Sequence, residues 1–325
     1  MAFTAADIPE LDWKLLRQVL ASALAARRSV QIIGGGSYLA TNPAYLPFFE
    51  DMVTLSHEAN LGTFDVKGGD LFFEPRNMES HNVTINGGKF SSFVEMVLFL
   101  APWCFSRDFR TVITCGGVSH SPLSPPTSFL RESLFDFLET MGLYGSIQLQ
   151  RFGFYGSGGG SAVARIYPAE ARPVKTVMPE VTPRIIGARI FFARVSPELA
   201  KRQKQKIAGL LKLDDRDVAI IEVRDADGMG NSIQVSIAAG ERTLQVSDDM
   251  PIYNYAGDLV VDEGDFNRVI EKVCSEALET VKTGNLPDEL ARELLPFVLL
   301  SGNNDAVEKI TGEEVLKIFK CLQNH

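Results

Sequence analysis

The sequence has few of the residues that build metal centres and disulfide frameworks. Its 325 residues include only four cysteines and four histidines. The cysteines, at positions 104, 115, 274 and 321, form no closely spaced pair, and the histidines do not cluster. This spacing indicates neither a zinc site nor a set of disulfides. We therefore expect no bound metal, and cysteines that are reduced and buried.

Long apolar segments are also lacking. The most apolar run, residues 93–105, contains Glu95 and is far shorter than the roughly 20 residues that a helix needs to cross a bilayer. The first residues show no basic region followed by an apolar core and a small-residue cleavage site, which a secretory signal would have. These features predict a cytoplasmic protein without a membrane partner.

Positive charge is scarce overall but locally concentrated. The formal net charge is -9, from 32 basic and 41 acidic residues, so the average surface repels a polyanion and we expect no DNA partner. Residues 184–212 nevertheless carry eight Lys or Arg against one Glu, a local charge of +7. The RNA-facing candidates in this stretch are Lys201, Arg202, Lys204 and Lys206. The alternative is that these four side chains form the solvated face of one helix.

The hydrophobic pattern predicts a recurring unit of strand, helix, strand, helix, strand and strand. Predicted helices lie at residues 11–26, 44–60, 90–105, 124–142, 264–283 and 288–300. Between the second and third pairs of helices, the basic segment gives way to a stretch rich in Asp and Glu, residues 214–265. This shift in composition predicts an inserted subdomain at residues 185–248.

Two glycine-containing loops are the most specific motifs. Residues 151–160 read RFGFYGSGGG, and three glycines before a strand indicate positive φ angles, or a close approach to a ligand or to another chain segment. A flexible hairpin loop is the alternative. Residues 115–126 form a loop between a strand and a helix that includes Ser119 and His120. His120 is a candidate ligand contact, although a lone histidine without a partner base or metal carries little information.

Taken in their order along the chain, the motifs resemble those of the RNA 3'-terminal phosphate cyclase family. Residues 151–160 are similar to the family pattern RHGFYPxGGG, residues 116–126 to GGTxxPxxPP with one extra residue, and residues 193–197 to a run ending in RVSP. The resemblance implies an α/β (α+β) fold, shared with the enolpyruvate transferases, of three repeated units, each a four-stranded sheet with two helices. It also implies a discontinuous large domain, residues 1–184 and 249–325, and a small inserted α/β domain at 185–248.

The N-terminal segment departs from the family pattern. Active cyclases resemble one another in a GEGGGQILR segment, which residues 9–17 match only in Glu10 and Arg17. The three glycines are replaced by Leu11, Asp12 and Trp13, and the glutamine by Lys14. A glutamine that the family carries on a helix of its second repeated unit aligns with Glu95 here.

The C-terminal segment departs further. The family's YLADQ or HLADQ segment aligns with residues 289–293, and an SxHxxTN segment follows, whose histidine receives AMP from ATP. The nearest position here is residues 308–312, where Glu308 lies closest to that histidine, and no histidine occurs between His120 and His325. A carboxylate could form a mixed anhydride with AMP, but not the stable phosphoramidate on which the family mechanism depends.

The resemblance therefore predicts the fold, but a degenerate active site without a confident catalytic residue. The ligand-binding candidates are Glu10, Lys14, Arg17, Glu95, Ser119, His120, Arg151, Tyr155, Glu289 and Arg292. We expect a factor that binds RNA or an RNA-processing protein without adenylyl transfer. The alternative is an ATP-dependent cyclase or another RNA-end-modifying enzyme with substitute residues, for which ATP and Mg²⁺ would be the cofactors.

Overall fold

Three four-stranded sheets organise the part of the chain that the structure describes, residues 4–6, 11–76, 81–172, 182–255 and 258–301. The structure is a computed structural model. Helices are interspersed with the strands along the whole chain, so the fold class is mixed α/β, as predicted.

The first sheet has the strand order β1-β2-β4-β3. Its strands β1 and β2 are parallel, whereas β4 is antiparallel to both of its neighbours. In chain order the elements are β1 (Thr4–Ala6), α1 (Trp13–Ala26), β2 (Val30–Ile32), α2 (Gly35–Thr41), a 3-10 turn (Pro43–Tyr45), α3 (Leu46–Glu58), β3 (Gly62–Lys67) and β4 (Asp70–Pro75).

The second sheet, β5-β6-β8-β7, has the same strand order and the same parallel and antiparallel pairing as the first. Its elements are β5 (Asn82–Asn86), α4 (Phe93–Phe105), β6 (Thr111–Gly117), α5 (Thr127–Phe129), a π turn (Leu130–Leu134), α6 (Phe135–Leu138), a 3-10 turn (Glu139–Met141), β7 (Gly145–Arg151) and β8 (Gly160–Ile166). The two sheets therefore share one order of elements along the chain, in which a strand, a helix, a strand, a helical segment and two strands follow one another.

The third sheet lies where the inserted domain was predicted, and its order, β10-β9-β11-β12, differs from the other two. Its elements are β9 (Arg184–Ala193), α7 (Pro197–Leu211), a 3-10 turn (Asp215–Asp217), β10 (Val218–Glu222), β11 (Gly230–Ala239) and β12 (Arg242–Asp249). After it come the paired strands β13 (Tyr253–Tyr255) and β14 (Asp258–Val260), then α8 (Glu263–Thr283), α9 (Asp288–Glu293) and α10 (Leu295–Leu300). Within the described residues this last segment forms a two-stranded ribbon and no four-stranded sheet, so a third repeat of the large domain stays a prediction.

Helix α4 forms the centre of the large core. Every one of its residues is buried, because the helix packs against α1, α3 and α10 as well as against its own sheet. A helix that is apolar all round is stable in water only in such a position. Since α1 and α10 meet at α4, the N-terminal helix lies beside the last described helices, and this arrangement positions the first candidate site.

Several predicted boundaries shift for local reasons. The predicted helix at 90–105 begins only at Phe93, because the Ser92 hydroxyl caps it by accepting a hydrogen bond from the backbone of Val94. The predicted helix at 288–300 is divided into α9 and α10, with Pro296 in the first turn of α10. Helix α2 was not predicted, since its glycines are poor helix formers.

Candidate functional site

A buried arginine joins α1, α4 and α9. The Nε atom of Arg17 lies 2.7 Å from Oε2 of Glu95, and its Nη2 atom donates to Oε1 of Glu293 at 2.5 Å. All three side chains are almost completely excluded from solvent. The Ser92 cap puts Glu95 in the first turn of α4, where the helix dipole favours a carboxylate. Two of the candidate ligand residues, Arg17 and Glu95, are thus paired with each other.

The indole of Trp13 fills the space beside this pair. Trp13 is 2% exposed, and its Nε1–H donates to Oε2 of Glu95 at 2.7 Å. The ring stacks on Tyr45, with centroids 5.7 Å apart and an interplanar angle of 6°, and it also packs against Phe48. In the segment that resembles GEGGGQILR of active cyclases, Trp13 therefore places a large side chain where that pattern has a glycine.

A second layer of charge lies closer to solvent. Lys14 pairs with Glu289, and the two side chains are 25% and 27% exposed. Arg292 pairs with Asp12, whose other carboxylate oxygen caps α1 by accepting from the backbone of Leu15 at 2.8 Å. These contacts tie the start of α1 to α9.

We call Lys14, Arg17, Glu95, Glu289 and Glu293 the ion cluster. Burial alone would lower the pKa of Arg17, but the carboxylates of Glu293 and Glu95 raise it above its ordinary value. Burial likewise opposes the charge of Lys14, whereas Glu289 and Glu293 raise the pKa of Lys14 overall. Burial raises the pKa of Glu289. Both cations of the cluster are thus held in the charged form by carboxylates of the chain itself.

The glycine-rich loop, residues 151–160, is packed against other backbone. A Cβ atom on Gly153 would lie 2.3 Å from the carbonyl oxygen of Gly117, and one on Gly159, where φ is +74°, would lie 2.3 Å from a carboxylate oxygen of Asp227. Of the predicted alternatives, the structure supports positive φ angles and a close approach of another chain segment.

Arg151 holds the same loop to the connection between β10 and β11. Its guanidinium pairs with the carboxylate of Asp227, and its Nε–H donates to the backbone carbonyl of Asp225 at 2.9 Å. Both charged side chains are about half exposed. This candidate ligand residue therefore joins the second and third sheet units.

Ser119 and His120 lie beneath the loop. The Ser119 hydroxyl accepts from the backbone N–H of Gly153 at 2.9 Å and donates to the carbonyl of the same residue at 3.1 Å. The Nδ1 atom of His120 lies 2.8 Å from that hydroxyl, and the imidazole stacks on Phe152 at 4.9 Å. Burial lowers the pKa of His120 to about 3, so the ring is neutral at physiological pH.

Two cavities flank His120. One, of about 350 Å³, is also lined by Tyr155, Asn231 and Asp249. The other, of about 320 Å³, is also lined by Arg189. Tyr155 is partly buried, which raises its pKa. The structure thus brings Ser119, His120, Arg151 and Tyr155 together around one loop, while Lys14, Arg17, Glu95, Glu289 and Arg292 meet in and beside the ion cluster.

Each of the four RNA-facing candidates on α7 has an acidic partner. Lys201 pairs with Glu198 at 2.7 Å, Arg202 with Glu263 at 2.8 Å, Lys204 with Asp215 at 2.9 Å and Lys206 with Glu271 at 2.8 Å. The partners of Arg202 and Lys206 belong to α8, so these two cations connect the helices. The pairs favour the interpretation that the four side chains form a solvated, internally compensated face.

Two residues of these sites were missing from the predicted ligand-binding candidates. Glu293 pairs with Arg17, and its spacing of four residues from Glu289 on one helix face was the signal that could have identified it. Asp249 lines a cavity, and nothing in its sequence surroundings distinguishes it. Two predicted residues, Glu10 and Glu308, lie outside the described residues.

Among the residues that the structure describes, no group of three or more His, Cys, Asp or Glu side chains is arranged to hold a metal ion. No described helix is both long and apolar enough to span a membrane.

Comparison with known proteins finds a matching family. A family model described as RNA 3'-terminal phosphate cyclase matches residues 49–318. The match includes the glycine-rich loop, Glu95 and Glu293, and it begins after α1, so Lys14 and Arg17 lie outside it.

Curated proteins of the same description are similar over much of the chain. The RNA 3'-terminal phosphate cyclase of Pseudomonas aeruginosa is 28% identical over 204 residues, which cover 62% of this chain and 57% of the relative. That of Pyrobaculum aerophilum is 32% identical over 235 residues, covering 70% and 66%. That of Pyrococcus abyssi is 26% identical over 283 residues, covering 83% and 78%. The chain thus matches 57% of the length of the Pseudomonas relative.

Proposed function

Because the chain belongs to the RNA 3'-terminal phosphate cyclase family, we propose that it is a binding factor of that fold which does not transfer adenylyl groups. The partner is RNA or an RNA-processing protein, and RNA is the partner that the family description supports. The observation that carries this proposal is the ion cluster with Trp13 beside it.

The ion cluster does not fit a triphosphate with its metal ion. A phosphate-binding site needs cations and backbone N–H groups that are open to the ligand. Here Arg17 is enclosed by Glu95 and Glu293, and Lys14 is bound to Glu289. A phosphate that displaced these carboxylates would lie beside three negative charges, and their repulsion opposes binding.

The available nucleophiles also support the proposal. His120 is buried among aromatic rings and its pKa is lowered to about 3, so its nitrogen is a weak base. Glu308 remains the residue nearest to the family's histidine by sequence. Its acyl adenylate would be a mixed anhydride, which water hydrolyses more readily than a phosphoramidate.

We expect no covalent AMP on this protein after incubation with ATP labelled at the α-phosphate and Mg²⁺. The physical reasons are the occupied cations of the ion cluster and the absence of a matching histidine. The measurement is the label that remains with the denatured protein, and the Pseudomonas relative treated in the same way is the positive control.

Stoichiometric label on the protein would contradict this proposal and support the alternative of an adenylylating enzyme with substitute residues. In that case Glu308→Ala and Glu308→Gln would identify the nucleophile. Loss of label in both variants would assign it to Glu308, and retention in both would assign it elsewhere.

We also propose the division into a large domain, residues 1–184 and 249–325, and an inserted domain, residues 185–248. The support is that the third sheet begins with β9 and ends with β12, and that α7 connects two of its own strands. On this division, Arg151 and the glycine-rich loop belong to the large domain and contact the inserted one through Asp225 and Asp227.

We expect the α7 face to contribute little to RNA binding. A variant with glutamine at Lys201, Arg202, Lys204 and Lys206 should change the slope of log K against log salt by less than about 0.7, the value for one phosphate contact with a single strand. The reason is that carboxylates already compensate all four cations. The measurement is a salt titration of the affinity for a single-stranded RNA.

A larger change in the slope would contradict this expectation. A loss of about two to three units of slope would mean that three or four of these cations contact phosphates, and it would assign RNA to α7. Thermal unfolding serves as the control, since losing exposed ion pairs should cost only about 0–1 kcal/mol per pair.

A further inference from the structure

The 320 Å³ cavity lies between the second and third sheets. We call it the arginine cleft. Its walls include Leu149 of β7, and Arg189 and Phe191 of β9. Along β9, these two partly exposed residues alternate with the buried Ala188 and Ile190, because successive side chains of a strand point to opposite faces. The cleft is therefore formed on the less buried face of the third sheet, and its volume is within the range of small-molecule sites, about 300–1,000 Å³.

Positive charge dominates the arginine cleft, in contrast to the ion cluster. Among the described residues, its lining includes Arg131 and Arg189 but no Asp or Glu. The carboxylate of Glu132, which is outside the lining, pairs with both arginines. Two cations and one carboxylate leave a net charge of +1 here, whereas the carboxylates of the ion cluster outnumber its cations. The arginine cleft is therefore suited to an anion.

Glu132 holds the two guanidinium groups in place without occupying all of their donors. It accepts from Nη1 and Nη2 of Arg189 and from Nη2 of Arg131, and each guanidinium has five N–H donors. Burial would raise the pKa of Glu132, but hydrogen bonds from Arg189 and Arg131 lower it overall, so the carboxylate stays ionised.

Both arginines are partly open to solvent, unlike the enclosed Arg17. The side chains of Arg131 and Arg189 are 52% and 29% exposed. The Nε atom of Arg189 is buried, so contacts to a ligand would come from Arg131 and from the Nη atoms of Arg189. Arg131, which gives only one of its donors to Glu132, is the main cation available to an anion.

The rest of the wall is largely apolar and includes Phe152, Phe191 and Ile221. The ring centroids of Phe152 and Phe191 lie 5.6 Å apart, and the guanidinium of Arg189 is 5.8 Å from the centre of the Phe191 ring. Proteins that bind single-stranded nucleic acids combine cations for the phosphates with aromatic side chains for the bases. A nucleotide offers both an anion and a flat apolar group, whereas a phosphorylated serine offers only the anion. RNA is therefore a better match than a phosphorylated peptide.

We propose that the arginine cleft binds one nucleotide inside a single-stranded RNA, with Arg131 and Arg189 donating to its phosphodiester oxygens and its base against the apolar wall. This inference rests on the proposed RNA binding and assigns a site to it. A phosphodiester carries one negative charge, which the net charge of +1 compensates, whereas a phosphate monoester carries about −1.5 to −2 at pH 7. The charge therefore favours a position inside the strand over a phosphorylated end.

The test uses the whole protein and a short fluorescent oligouridine with a hydroxyl group at its 3' end, and it measures anisotropy over a series of salt concentrations. We expect Arg131→Gln to bind this RNA at least about fivefold more weakly. The slope of log K against log salt should become shallower by about 0.7, the value for one phosphate of a single strand. The matched control is Arg268→Gln. The Arg268 side chain is 54% exposed, pairs with Asp265 and lies outside the cleft lining, so we expect less than a twofold change.

A conservative variant separates the charge of Arg131 from an effect on folding. Arg131→Lys keeps the charge but loses the fork of N–H groups, and we expect it to retain the wild-type slope and to recover most of the affinity. A slope as shallow as that of Arg131→Gln would show that the charge is not what binds, and the proposal would be wrong. Thermal unfolding is the check on folding, and the pair of Arg189 with Glu132 remains in both variants.

The outcomes separate the arginine cleft from the proposed RNA binding. Equal affinity and equal slope for the wild-type protein and Arg131→Gln would overturn the cleft and leave RNA binding intact. If no RNA binds but the free diester uridine 5'-methyl phosphate binds and is lost in Arg131→Gln, the cleft stands with a free nucleotide as its ligand, and RNA binding fails. Binding of neither overturns both. If O-phosphoserine displaces the RNA better than the uridine diester does, the cleft takes a phosphorylated protein and the RNA assignment is wrong.

Discussion

Arg17→Met is expected to destabilise the protein by about 3–5 kcal/mol, the usual cost of removing one partner from a buried ion pair. The substitution keeps an unbranched apolar stem but leaves Glu95 and Glu293 buried without their cation. The measurement is the free energy of unfolding from urea titration, followed by circular dichroism.

Two further variants make this result specific. Lys14→Met removes a cation from the same cluster, but at a site that is a quarter exposed, so we expect about 1 kcal/mol or less. Adding Glu95→Gln and Glu293→Gln to Arg17→Met removes the uncompensated charges and should recover most of the loss, since neutral replacements of a buried ionic group are often tolerated. Equal destabilisation by Arg17→Met and Lys14→Met would contradict this account of the ion cluster.

Asp249→Asn is expected to stabilise the protein at alkaline pH and to flatten its dependence of stability on pH. The pKa of Asp249 is about 8 in the folded protein and about 3.9 in an unfolded chain, so the folded state favours the protonated form. The contribution of Asp249 to stability is therefore greatest below about pH 4, decreases as the pH rises from 4 to 8, and is lost above pH 8. Above pH 8 the variant should be more stable than the wild-type protein by a few kcal/mol, about 6 at most.

Urea titrations from acid to alkaline pH measure this difference directly. Asp248→Asn is the control. It loses the pair of Asp248 with Lys272 at 2.8 Å and relieves only the minor effect of the Asp248 charge on the pKa of Asp249, so its gain at alkaline pH should be much smaller. Parallel stability profiles for the wild-type protein and Asp249→Asn would show that the Asp249 carboxylate is solvated or paired in the folded protein.

The sequence determined the elements whose signals are local. The apolar period predicted α1 and α8 to within two residues at either end, because the spacing of buried positions along a helix is a property of the helix itself. The motifs of residues 116–126 and 151–160 identified the family, which the family model then matched. The composition shift after residue 184 marked the segment that forms the third sheet.

The tertiary structure decided which of these residues meet. Arg17 and Glu293 are 276 positions apart, and Arg202 and Glu263 are 61 apart. Neither pairing can be read from local spacing, so a cation that looked available for RNA proved to have a partner. Asp249 is an ordinary acidic residue in the sequence, and only the pairing of β12 with β11 in the completed fold buries its carboxylate. The hydrophobic period and the helix propensity reflect residues that are near neighbours along the chain. Burial and charge pairing depend instead on neighbours in space, which only the completed fold supplies.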